Sequence, residues 1–383
     1  MAPLPVRTAI PFGPDRTSPA SLAVDFAKAM EAAGVDQFLA WDQLVSWWPK
    51  ALWKKDNTFL AEISADPDSF NDPFMLAAIA AASTKNLGVA VTTDAVRSGP
   101  AELMRGLLTL AGMTNGDAAC MIGAGEIKQT KPFGHKRSHG LSRMEELFDI
   151  LPRFYDSPTP IDYDGKYFKL NHAWVGSIRP HRPKWWAMGG GPRLINIATK
   201  NGDGFVSAIP LVSANPDQWA EKVKGIRQQL EDNDRDPDDF TYGSFFLTAM
   251  HEDEEAIDKA IDNKMMRWFA AALGRFTPGD WDAEGIEPAY PRDWHYAWKL
   301  LPDEVTQEEL DEVDKKVTRE MVKKSLFWGD AATVAKEMQA YADAGCNYFI
   351  IADMLPFTLE MEEAKTAVGR SLEVSRLLKE GRK

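Results

Sequence analysis

Along its first 250 residues the chain alternates short apolar runs with longer segments whose apolar residues recur every three or four positions. The runs Val6–Phe12, Asp36–Asp42, Asn86–Ala95, Asp117–Glu126, Lys184–Gly191, Gly204–Pro210 and Phe240–Met250 predict strands. Between them, 19–34, 72–84, 99–114, 142–157, 191–202 and 217–233 carry helical spacing, with Pro100 in the first turn of one and Gly34 stopping another. Near the end, 331–345 predicts a helix, Asn347–Leu355 an eighth strand and 360–378 a terminal helix. Residues 161–170 read as a small hairpin turning at Asp164-Gly165.

Eight strands alternating with helices predict an α/β fold, a (β/α)8 TIM barrel forming a single domain over 1–383. A weak internal echo agrees: Ala33-Gly34 precedes Phe38 and Asp42 at the offsets by which Ala344-Gly345 precedes Phe349 and Asp353. Residues 252–328 break the rhythm with charged helical stretches, 252–274 and 306–326, around a Pro/Trp-rich loop. They predict an insertion after strand seven, emerging on the C-terminal face as a lid or pocket wall.

A formal net charge of −13 argues against general binding to nucleic acid or anionic membrane. No apolar stretch reaches membrane-spanning length, and the N-terminus lacks the layout of a signal peptide. Cys120 and Cys346 sit in apolar runs and read as buried free thiols, so a reducing, cytoplasmic location is the expectation. The six histidines show no metal-ligand spacing, and no metal is expected. Several of the thirteen tryptophans, among them Trp47, Trp48, Trp53, Trp294 and Trp298, lie in loop-like segments, where aromatics either fill core or line a pocket.

In a barrel the strand C-termini converge on one mouth. That places Asp42 and Gln43, Thr92-Thr93-Asp94, Glu126, Gly189-Gly190-Gly191 and Ala208-Ile209-Pro210 together. Consecutive glycines ahead of a helix start at Pro192 suit close approach of an anion, although a tight turn needs the same residues. Glu126 reads either as a helix-start charge or as a partly desolvated acid. Two mouth carboxylates alone also fit a glycosidase, but a neutral sugar needs no phosphate cradle.

Taken together, "DQFLAWDQLVSWWP", "VTTDAVRSGPAELMRGLLTL", "IGAGE", "DGKYFKL", "AMGGGPRLINIATKNGDGF" and "DAGCNYFII" resemble the luciferase-like flavin and deazaflavin oxidoreductases over nearly the whole chain. Within them the sequence is similar to the coenzyme F420-dependent reductases, and "SWWPKALW" to the phthiodiolone ketoreductase group, which handles very apolar ketones. The resemblance implies coenzyme F420 as cofactor, with FMN as the alternative, and a homodimer. It implies that Asp42, Ala90-Val91-Thr92, Gln129, Gly190 and Gly191 contact the cofactor, that Glu126 is catalytic, and that Trp47 walls the substrate beside the ring. It also places a strand-three bulge with a cis peptide at Ala90-Val91, a bond that costs about 3–4 kcal/mol and persists only where its surroundings enforce it.

Two positions depart from the family pattern. Gln43 stands where the sugar-phosphate and alcohol dehydrogenases carry a histidine, and glutamine cannot act as a base near neutral pH. Ile209-Pro210-Leu211 replaces the lysine segment of the sugar-phosphate enzymes. Both point to hydride delivery onto a small apolar ketone or enone, with Glu126 supplying the proton, Gln43 orienting the acceptor, and Trp48, Trp53, Trp294 and Trp298 lining an apolar pocket. An FMN-dependent monooxygenase and a barrel that binds without turnover remain the alternatives.

Overall fold

The computed structural model describes residues 4–13, 16, 19 and 21–382. Eight parallel strands close into a barrel: β1 (Arg7–Pro11), β2 (Gln37–Ala40), β3 (Gly88–Asp94), β4 (Ala118–Gly123), β5 (Lys184–Met188), β6 (Gly204–Ile209), β7 (Thr241–Met250) and β8 (Tyr348–Asp353). Each pairs with its sequence neighbour, and β1 with β8 closes the ring. The strands are nearly continuous apolar runs because both faces are covered. Val89, Val91, Cys120 and Ile122 pack outward against the helices, whereas Ala90, Ala119, Met121, Trp186, Val206 and Ile350 fill the interior.

The predicted helices fall where expected to within a few residues; the first, predicted from Pro19, begins at Ser21, with Ala20 outside the described residues. The internal echo has a physical basis. Gly34 and Gly345 both close helices in the left-handed conformation, at φ 76° and 97°, before a strand begins. Both cysteines are buried thiols.

Three expectations change. First, β3 pairs without interruption on both sides, with Leu39 and Ala119 opposite Ala90 and Ala40 and Cys120 opposite Val91. It has no bulge, and Ala90-Val91 is trans; among the described residues the cis peptide is Ile209-Pro210. Second, the two charged stretches of 252–328 are each broken in two. Asn263 is extended and caps Met265 N at 2.7 Å, separating Glu254–Asp262 from Lys264–Ala272. Thr318 likewise caps Met321 N at 3.1 Å, separating Gln307–Asp314 from Arg319–Ser325. Third, the terminal helix is split into Met361–Ala364 and Ala367–Glu380. The 252–328 segment shares one apolar core with the barrel interior, through Trp268, Phe269, Trp281 and Met321.

At the end of β8, Asp353 is half-buried, with its carboxyl Oδ2 enclosed. Its Oδ1 accepts from Met250 N and Leu355 N, both at 3.2 Å, while Oδ2 has no partner among the described residues. Burial outweighs these bonds and the nearby Arg370, and pushes the carboxyl up to about 7. The folded chain therefore holds this proton more tightly than the unfolded chain, and the group's contribution falls as pH rises from the ordinary aspartate range to about 7. Asp353→Asn is expected to be more stable than the parent at pH 8 and to lose most of that advantage by pH 5, measured as urea midpoints.

Candidate active site

At the mouth of the barrel the end of β2 is bound to the end of β3. Asp42 N donates to Thr92 Oγ1 at 2.8 Å, and Thr93 Oγ1 donates to Asp42 Oδ2 at 2.8 Å. Arg97, not foreseen from the sequence, forks across two carboxylates: Nη2 and Nη1 reach Asp42 at 2.8 and 3.1 Å, and Nε reaches Asp94 at 2.5 Å. Asp94 Oδ1 also caps Val96 N and Arg97 N. Burial pushes the Asp42 carboxyl up against the pull of Arg97; burial pulls Arg97 down, but its two carboxylates prevail and raise it. With both oxygens of Asp42 held, the paired acid and nucleophile of a glycosidase is not available here.

β4 delivers Glu126 to the same mouth, at the start of the short turn Ile127–Thr130. Its side chain caps no backbone N–H; instead Oε2 lies 2.8 Å from Lys128 Nζ. That contact is off the hydrogen-bond axis, so Oε2 is buried against the ammonium group without an aligned hydrogen bond. Lys128 also donates to Gln43 Oε1 and Val45 O, both at 2.7 Å. Gln129 donates to the same two oxygens and accepts from Leu44 N and Val45 N at 2.7 and 3.2 Å. Its amide is spent on holding the 43–45 loop. Gln43 Oε1 is thereby fixed by two donors, which leaves its amide nitrogen as the free donor.

The tryptophans divide. Trp47 lies beside Lys128, whose Nζ is 5.4 Å from its ring centroid, and its buried Nε1–H meets no acceptor among the described residues. Trp48 is buried against Phe269 and Phe357 and joins the loop to the insertion, whereas Trp53 donates to Ser64 O within the loop and Trp294 stacks on Tyr290 at 4.1 Å within the insertion. Trp298 carries the Arg137 guanidinium on its ring, at 4.1 Å. The insertion also brings residues that the sequence did not flag. The short helix Tyr296–Lys299 packs on the Glu126 turn, and Tyr296, His295 and Arg137 all lie in the field of the Glu126 carboxylate. Burial pushes the Tyr296 phenol up and pulls His295 down, so both are neutral near pH 7. Ala90 and Val91 are fully buried, and Val91 faces the helices. A cleft of about 490 Å³ between the 51–57 loop and the insertion contains none of these residues, and its Arg267 and Asp314 pair with each other.

Across the mouth, β5 ends in Gly189 at φ 153°, whose N–H is taken by Val206 O at 2.9 Å. Gly190 N and Gly191 N have no acceptor among the described residues. Gly191 is the N-cap of Pro192–Asn201 at φ −83°, and a Cβ added there would meet nothing within 4 Å. Open space, two free N–H groups and a helix N-terminus fit a phosphate group.

The luciferase-like monooxygenase family model matches residues 6–348. The chain belongs to this family. Among curated relatives, the phthiodiolone/phenolphthiodiolone dimycocerosates ketoreductase of Mycobacterium kansasii is 24% identical over 372 residues, covering 95% of this chain and 98% of the relative. The F420-dependent glucose-6-phosphate dehydrogenase of Mycobacterium avium (strain 104) is 22% identical over 226 residues, 56% of this chain and 61% of the relative. A solved F420-dependent secondary alcohol dehydrogenase, in complex with an F420-acetone adduct, superposes with a TM-score of 0.73 at 17% identity, covering 98% of this chain and 99% of that one.

Proposed function

We propose that the protein is a coenzyme F420-dependent reductase of an apolar ketone or activated double bond. The observation that carries this reading is the grouping of Glu126, Lys128 and the free amide nitrogen of Gln43 beside Trp47, at a barrel mouth that also holds the glycine cradle. When bound, the reduced deazaflavin supplies hydride. Gly190 and Gly191 would hold its phosphate through their free N–H groups. Gln43 donates to the acceptor's oxygen and polarises the carbonyl. Glu126 delivers the proton to that oxygen as it becomes basic. Asp42, locked by Arg97 and Thr93, fixes the shape of the cofactor side rather than titrating. Trp47 and the aromatic insertion exclude water, which strengthens these polar contacts. The ketoreductase name of the full-length relatives and the F420 dependence of the superposed dehydrogenase support the same assignment.

The family also bears the name of monooxygenases, which favours FMN as the second reading. Paired fluorescence titrations with F420 and FMN separate the two: preferential F420 binding, followed by oxidation of reduced F420 on adding long-chain ketones, is expected. Preferential FMN binding would sink the reductase assignment. Gly191→Ala tests the cradle. With an allowed φ and no clash it loses only about 0.5 kcal/mol as an N-cap change, yet F420 affinity is expected to fall at least about tenfold. Unchanged affinity would place the phosphate elsewhere.

A further inference from the structure

Lys128 is 1% exposed, and its ammonium group sits 2.7 Å from Gln43 Oε1, 2.7 Å from Val45 O and 2.8 Å from Glu126 Oε2. Burying an ammonium group costs several kcal/mol even when it is paired. The loop does not require it, because Gln129 Nε2 donates to the same two oxygens. Methionine would fill the space and leave neither acceptor unpartnered. What the lysine alone supplies is an exchangeable proton at contact distance from Glu126.

We infer that Lys128 is the proton reservoir behind Glu126, a positioning residue that reloads the carboxyl group on each turnover. The inference rests on the reductive reading above. The carbonyl carbon gains the hydride supplied by reduced deazaflavin, and the π pair moves to oxygen. The O–H bond of Glu126 breaks as one forms on that oxygen. The carboxylate then takes a proton from Lys128 Nζ, leaving a neutral amine that regains its proton from water.

Burial pulls Lys128 below the ordinary lysine range, opposed by Glu126 and Asp68 and assisted by Arg97. A buried lysine shifted this way gives up its proton more readily than an exposed one. Arg137, His295 and Tyr296 also lie in the field of Glu126, and their fields are common to every Lys128 variant.

Two measurements test the assignment. In cofactor-free protein isotope-labelled at lysine Cε, the signal lost in Lys128→Met is expected to titrate below the exposed lysines, and lower still in Glu126→Gln. In repeated turnover of reduced F420 with a ketone, Lys128→Met and Lys128→Arg are both expected to lower the steady-state rate at least about tenfold, with F420 affinity within about threefold of the parent. Arginine keeps the charge but does not release a proton in proteins, so it separates a reservoir from a mere counter-ion. A parental rate in Lys128→Arg, or Lys128 titrating with the exposed lysines, would overturn the proposal. A parent that binds no F420 refutes the reductive reading instead, and the lysine titration still decides whether the pair is coupled.

Discussion

Glu126→Gln is expected to reduce turnover of reduced F420 with a ketone by at least about 10²-fold, while F420 affinity stays within about threefold. Glutamine is close to the same size, and its amide oxygen can still accept from Lys128. The change takes the carboxylate partner from the buried Lys128 ammonium group, which keeps Gln43 Oε1 and Val45 O as acceptors. What disappears is a group that can release a proton to the substrate oxygen. Stopped-flow measurement of F420 oxidation against a parallel binding titration provides the check. Equal rates in parent and variant would remove Glu126 from the proton path.

The largest stability effect is expected at Arg97. The side chains of Arg97, Asp42 and Asp94 are 13%, 16% and 6% exposed, so Arg97→Met leaves two carboxylates facing each other with little access to water. Loss of one partner from a buried ion pair costs about 3–5 kcal/mol. The pH dependence has a definite sign. Without the cation, burial and the facing Asp94 carboxylate raise the Asp42 carboxyl with no opposing pull from Arg97. Relative to the parent, the variant therefore recovers stability as pH falls through that raised value. Urea midpoints are expected to differ more at pH 8 than at pH 5, and Asp42→Asn added to Arg97→Met should return part of the loss. A pH-independent difference would mean that Arg97 acts by packing alone.

The barrel was legible because parallel strands covered on both faces are written as unbroken apolar runs, such as "AACMIG" in β4. Strand ends then located Asp42, Gln43, Glu126 and the three glycines without further information. The partners of those residues were not legible. Lys128 stands in "GEIKQ" and reads as a solvated charge; it is buried only because the 43–45 loop folds over it. Arg97 lies three residues after Asp94 in "DAVR", which hinted at one pair but not at the reach to Asp42 on another strand. Tyr296 and His295 sit in a stretch without periodicity, where position depends on how the insertion packs. The cis bond at Ala90-Val91 was an inference from family pattern, and the unbroken ladders of β3 do not accommodate it.

The double set of donors on Gln43 and Val45 also bears on how this site can diverge. Because Gln129 donates to the same two oxygens as Lys128, the charge at position 128 is separable from the shape of the pocket. A gene copy that lost the lysine would still encode a folded barrel with the same mouth, slowed in its chemistry rather than altered in its architecture. Descendants of such a copy could keep a ligand while abandoning the reaction, or acquire a different side chain at 128 and a different proton requirement.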